Sequence, residues 1–213
     1  TAFTMNTAYF YLDGIQVQHV GITNGTSVFI VGSAAVSNAT VVTGCIFKQQ
    51  TSGGGGMGAV FAVYEGATGR ANLYLGSNLF LEAKNVEYPA SYGTGGVGLV
   101  YGHVFAYNNT FIDVGYAFDG GSSTYQFLLK NNLASGSQIN GGRQDYRLAV
   151  GALATGSTNN ASHDGSATGT AAKTGQTFTF VGSGDYHLSP SDTAALGYGA
   201  DLSADATFTL TTD

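Results

Sequence analysis

The chain has little charge to spend on its surface. Lys, Arg, Asp and Glu together make up 9% of its 213 residues, against the roughly 25% of an ordinary soluble domain. Its seven Lys and Arg never cluster, and the formal net charge is −6. Without grouped cations there is nothing to neutralise phosphates, so neither nucleic acid nor an anionic membrane is an expected partner. Cys45 is the only cysteine. No intrachain disulfide can form, and its apolar neighbours make it a small core residue by expectation. No apolar run approaches the about 20 residues of a membrane-spanning helix. Apolarity at a 3.6-residue period is also missing, leaving at most one helical turn near Asp192 to Leu196. No Cys/His metal spacing, nucleophile elbow or dinucleotide fingerprint occurs. Thr1 is no initiator methionine and no signal-peptide pattern precedes it, so flanking sequence is expected.

What is present is small, aromatic and β-branched. Hydrophobic residues make up 43% of the chain, enough to fill a core, and 33 glycines against two prolines imply many tight turns. Tyr, Phe, Val, Thr and Ile dominate the runs between those turns. Ser, Thr, Asn and Gly must then cover the outside, a tendency of secreted and virion β-proteins.

One unit recurs. Val104 to Val114 reads V-F-A-Y-N-N-T-F-I-D-V, with echoes at Val41 to Gln49, Leu73 to Glu82 and Phe127 to Ala134, and a looser one at Phe10 to Gln18. Taking Gly14, Gly44, Ser77, Asn108 and Asn131 as equivalent, the spacings are 30, 33, 31 and 23 residues. Short strands broken by Asn or Gly at such a period are the signature of a solenoid. A strand of four or five residues cannot bury its own apolar side. Stacked about 4.8 Å apart, however, equivalent strands pair in parallel and their inward residues form columns. Two or three strands per turn give about 22–30 residues per coil. Asn suits the corners because it tolerates the left-handed conformation. An antiparallel sandwich is the competing architecture, but it does not predict an N-N corner at a fixed offset.

The interruptions are as legible as the strands. Thr51 to Gly58 is a glycine-rich loop insertion without the Lys-Ser/Thr or following helix of a phosphate cradle. Lys84 to Gly98 is a second excursion, rich in tyrosine. Thr158 to Thr174 is small and polar, a loop or a peripheral coil. Phe178 to Val181 is the last clear strand.

The N-N-T-F and K-N-N-L units resemble right-handed parallel β-helix proteins of the pectin-lyase-like superfamily. Phe180 to Leu202 (F-V-G-S-G-D-Y-H-L-S-P-S-D-T-A-A-L-G-Y-G-A-D-L) resembles the closing stretch of many of them, although Leu196-Gly197 stands where Ile-Asp is usual. Asn159 to Gly169 resembles a segment preceding that stretch in phage-associated and metagenomic β-helix virion proteins. The resemblance implies an all-β, right-handed parallel β-helix of about 6–8 coils with Gly-rich loop insertions. Residues 1–135 would form the main coils, and 136–213 the C-terminal coils and closing segment of the same domain. It implies function less well, since lyases, hydrolases, adhesins and phage spikes share the fold.

Aligned units put His19, Gln49, Glu82 and Asp113 in one column. Carboxylates of Glu82 and Asp113 about 5 Å apart on neighbouring coils suit acid/base work on a glycosidic bond, or a Ca²⁺ site. A solvated polar column is the plainer account. Alternation would put Arg143, Asp145 and Arg147 on one side, either as a surface ion-pair group or as a ligand contact. Tyr88 and Tyr92 belong to the tyrosines whose exposed rings would stack on sugars. His187 falls in the closing stretch and is expected to be structural.

These residues favour a non-enzymatic spike, fibre or decoration protein of a phage virion or cell surface. It would self-associate, with a trimer favoured, or bind other virion proteins, and would contact surface polysaccharide. No cofactor is expected beyond Ca²⁺, and the location is extracellular or on a virion. A polysaccharide lyase or glycoside hydrolase is the alternative.

Overall fold

A computed structural model describes residues 3–5, 9–20, 29–32, 38–50, 60–64, 71–84, 95–120, 124, 126–136 and 144–207. The chain repeats one path. Its first passage gives β1 (Phe3–Met5), β2 (Tyr9–Asp13) and β3 (Gln16–Val20). The second gives β4 (Phe29–Gly32), β5 (Asn38–Thr43) and β6 (Ile46–Gln50), and the third β7 (Phe61–Tyr64), β8 (Ala71–Gly76) and β9 (Leu79–Lys84). β10 (Gly95–Tyr101), β11 (His103–Tyr107) and β12 (Thr110–Ile112) form the fourth. β13 (Tyr116–Gly120), β14 (Phe127–Lys130) and β15 (Leu133–Ser135) form the fifth, followed by β16 (Tyr146–Leu148) and β17 (Ala161–Ser162). A hairpin, β18 (Phe180–Gly182) and β19 (Asp185–Leu188), comes last.

Each passage visits three sheets in turn. The first sheet is ordered β1-β4-β7-β10-β13-β16, the second β14-β11-β8-β5-β2, and the third β17-β15-β12-β9-β6-β3. Pairing within all three is parallel, as in a β-solenoid, while β18 and β19 pair antiparallel. The described residues contain no helix, and Asp192 to Leu196 is irregular chain that bends into a turn at Leu196-Gly197. The polar stretch from Thr158 continues the stack as a narrow loop of chain, bridging Thr158 to Thr170 and Ala161 to Lys173 in parallel. The glycine insertion 51–58 lies outside the described residues.

Register turns the alternating pattern into columns. In the first sheet Phe29, Phe61, Val97, Phe118 and Tyr146 succeed one another. In the third, Val17, Phe47, Phe80, Phe111 and Ala134 do so. Phe47 stacks on Phe80 with centroids 5.2 Å apart, and Phe80 on Phe111 at 4.5 Å. Each buried ring contributes about 1.5–3 kcal/mol. The alternation at Tyr146, Leu148 and Val150 does not run its full length: β16 ends at Leu148, Gly151 turns at φ 79, and Val150 is left exposed.

The corner between the second and third sheets fixes that register. Gly14, Gly44, Ser77, Asn108, Asn131 and Asn159 all sit there at φ between 52 and 64, the left-handed region open to Gly and, at modest expense, Asn. After every one of these corners but Gly14, whose follower Ile15 is exposed, the next residue turns inward. Asn78, Asn109, Asn132 and Asn160 are buried and form an amide ladder. The backbone N–H and Nδ2 of each rung donate to Oδ1 of the next: Asn78 to Asn109, Asn109 to Asn132, and Asn132 to Asn160. Each Nδ2 also donates to a carbonyl of the passage before, such as Asn78 to Val42 at 2.9 Å.

Cys45 occupies the next rung. Its N–H donates to Asn78 Oδ1 at 3.0 Å, while Sγ lies 3.1 Å from the Thr43 carbonyl and 3.8 Å from that of Leu12. The thiol is free and buried, as expected for a small core residue, and burial pushes it up from its ordinary pKa. Because the thiol is a weak donor where an amide is a strong one, Cys45→Asn is expected to raise stability by about 1 kcal/mol. Urea unfolding checks this against Cys45→Ala. An asparagine variant no more stable than the alanine variant would show that this rung does not accept the ladder.

The outer face of the third sheet is covered by the chain's own C-terminal strap. Leu81, Ile112 and Leu133, with Ile46 and Leu79, pack against Phe178, Phe180, Tyr186, Leu188 and Ala195. Beyond the hairpin, Asn131 bonds Ala200 in both directions at 2.8 Å, and Asn159 Nδ2 donates to the Tyr198 carbonyl. Asp205 pairs with Lys130 and accepts from the Tyr107 hydroxyl at 3.2 Å.

Candidate functional site

Ser183-Gly184 makes the hairpin turn, with Gly184 at φ 83, and Gly182 pairs with Asp185. Phe180 meets Tyr186 edge-on at 6.2 Å, which places the Tyr186 ring against the third sheet. Between this turn and the corner lies a cleft of about 630 Å³. Its floor is apolar, from Ile46 and Leu79, and Tyr186 forms one wall. The opposite rim carries Ser77, Asn108 and Thr110. A smaller recess of about 240 Å³ follows the corner beyond Asn108 and Thr110, under Leu188 and Tyr198.

Asp185 and His187 complete the rim. Residues two apart on a strand face the same side, and His187 Nδ1 lies 2.6 Å from Asp185 Oδ1. The same oxygen accepts the His187 backbone N–H at 3.1 Å. Those two bonds, the backbone one first, hold the Asp185 carboxyl below the usual carboxylate range. Asp192 anchors the other end of the hairpin. Burial pushes its carboxyl up, but backbone N–H groups of Ala195, Thr179, Leu196 and Ala194 outweigh that and lower it. Among the described residues no Lys or Arg lines the cleft. Mixed walls with a few fixed polar groups are the usual build of a small-ligand site.

The residues singled out from the sequence fall elsewhere. Glu82 lies on β9 and Asp113 just past β12. Register pairs Leu81 with Ile112, so the two follow at successive positions of adjacent passages. Asp113 has turned to φ 54 and donates its N–H to the Ser135 carbonyl at 3.0 Å. The Glu82 side chain, Tyr88, Tyr92 and Arg143 lie outside the described residues. His19 pairs in register with Gln49, as the column requires.

Asp145 and Arg147 do not share a surface ion-pair group. Arg147 pairs with Asp119 through Nε at 2.5 Å and Nη2 at 2.7 Å, and its guanidinium lies 4.9 Å from the Tyr116 ring centroid. Asp145 is buried, accepting backbone N–H bonds from Gly136, His163 and Asp164. Burial, then the charge of Asp164, pushes its carboxyl up to about 7 against the pull of those N–H groups. Among the described residues no group of three or more His, Cys, Asp or Glu is placed to hold a metal ion.

No protein-family model, curated protein or solved structure matches this chain. The cleft was not legible beforehand. Asp185 and His187 carried a signal in their spacing, but Ile46, Ser77 and Asn108 reach it from three separate passages.

Proposed function

We propose that the chain is a non-enzymatic structural or adhesion protein of a phage virion or cell surface. In this reading it is a right-handed parallel β-helix of the pectin-lyase-like kind, about 6–8 coils long. It self-associates, with a trimer favoured, and contacts surface polysaccharide. The observation that carries the reading is the outer face of the second sheet. There Tyr11, Val41, Tyr74, Phe105 and Leu128 follow one another in register. Tyr74 and Phe105 stack at 4.6 Å and 9°, while Tyr9 and Tyr11 are 64% and 56% exposed. Aromatic rings on the outer face of a parallel sheet suit a broad contact, either with another copy or with a glycan.

Light scattering on the purified chain is expected to give a trimer. Tyr9→Ser with Tyr11→Ser is expected to dissociate it without changing the fold. A wild-type monomer at high concentration overturns self-association. A polysaccharide lyase or hydrolase is the second reading, favoured by the successive positions of Glu82 and Asp113. Glu82→Gln with Asp113→Asn is expected to leave assembly unchanged, and loss of a measured depolymerising activity in that variant would favour the enzyme.

A further inference from the structure

We infer that the cleft between the β18–β19 hairpin and the corner is a binding site for an uncharged saccharide. The inference deepens the glycan-contacting part of the proposed function and rests on it, but it places the contact away from the aromatic face of the second sheet.

Chemistry selects the ligand class. The apolar floor of Ile46 and Leu79 and the Tyr186 wall suit the C–H face of a pyranose ring. The rim suits its hydroxyls. Ser77 and Thr110 bring hydroxyl groups that donate or accept, and Asn108, whose Oδ1 already accepts from Asn131 Nδ2 at 3.0 Å, brings an amide donor. Asp185 supplies an acceptor whose charge strengthens a hydroxyl hydrogen bond. His187 holds that carboxylate through two bonds to Oδ1, which leaves Oδ2 to accept from the ligand. A purely apolar ligand would strip water from these groups without replacing its hydrogen bonds, at about 1–3 kcal/mol for each.

Charge narrows the class further. A uronate, sulfate or phosphate would meet Asp185 with no Lys or Arg among the described lining residues and a chain of net charge −6 around it. Like charges in contact discriminate against such ligands. The site is also built in advance. One side is held by the buried amide ladder, the other by Asp192 bonding four backbone N–H groups. Preorganised groups bind with less ordering to offset.

The test is a titration of the intact chain with cellotriose, maltotriose, chitotriose and trigalacturonate, followed by amide shifts at Ser77, Asn108 and His187. At least one neutral trisaccharide is expected to give saturable shifts at all three. Trigalacturonate is expected to bind at least about tenfold more weakly. Asp185→Asn, at an exposed position, is expected to weaken the neutral sugar by about tenfold while amide positions away from the hairpin stay unshifted, which shows the chain still folded. Absence of saturable shifts with every neutral sugar overturns the inference, as does equal or tighter binding of trigalacturonate. Neutral-sugar shifts confined to Tyr9 and Tyr11 would overturn this site while leaving the glycan-contacting reading in place.

Discussion

Asn109→Ala is expected to lower stability by about 3–5 kcal/mol. The side chain is fully buried. Its Oδ1 accepts both the backbone N–H and the Nδ2 of Asn78 at 3.0 Å. Its Nδ2 donates to Asn132 Oδ1 and to the carbonyls of Leu75 and Tyr107. Some partners keep a second bond: Asn78 Nδ2 still reaches the Val42 carbonyl, and Asn132 Oδ1 still accepts the backbone N–H of residue 109. The Asn78 N–H loses its bond to Asn109 in a site water cannot enter without disturbing the stack. An orphaned buried donor costs about 1–3 kcal/mol, and the cavity adds to that. Asn131→Ala, at the half-buried outer corner, is expected to cost less, about 1–2 kcal/mol, because solvent replaces part of what it loses. Urea unfolding of both variants measures the difference. A change below about 1 kcal/mol for Asn109→Ala would mean that the ladder is incidental to the fold.

The second large effect is a dependence on pH centred on Asp145. With its carboxyl raised to about 7, the folded chain keeps a proton that the unfolded chain releases near pH 4. Stability from this group is therefore fully present below about pH 4 and lost as pH rises through about 7. The span of about three pH units corresponds to up to about 4 kcal/mol. Asp164, whose carboxylate accepts the Asp145 N–H at 2.9 Å, is the like charge facing it, and His163 is the neighbour that donates a backbone bond. Asp185, Asp192 and Asp201 act in the opposite sense. Their carboxyls are lowered, so what they contribute is lost only in more acid solution. Thermal unfolding is expected to move to lower temperature between pH 5 and pH 8.5, and Asp145→Asn to flatten that slope whatever it does to the absolute value. A wild-type profile that is flat or rising across this range contradicts the assignment.

Corners were the most legible part of the chain, for a steric reason. Few residue types tolerate positive φ, so Gly14, Gly44, Asn108 and Asn131 mark the turns wherever they recur, and Ser77 follows by spacing. The rung beside each corner was harder to read. Asn78, Asn109 and Asn132 share their position with Cys45 and Ile15, and a mixed column hides a common role. The strap was half visible. Leu79-Phe80-Leu81 is apolar on both faces, the mark of a strand covered from both sides. Sequence alone does not say that Phe180, Tyr186 and Leu188 supply the second cover. Asp145 misled for a related reason. Alternation with Arg147 implies a shared face, but β16 starts only at Tyr146, so Asp145 takes its direction from the turn before it.

The ladder has a consequence for how such a chain grows and shrinks over evolutionary time. Every asparagine rung offers the same donors upward and the same acceptor downward, so any asparagine-bearing turn can follow any other without altering the joint. Differences in length between one turn and the next, such as 31 and 23 residues along the ladder, are taken up away from the corner. Duplication or deletion of a whole turn thus leaves every surviving joint intact, and the molecule can change its reach in steps of a single rung.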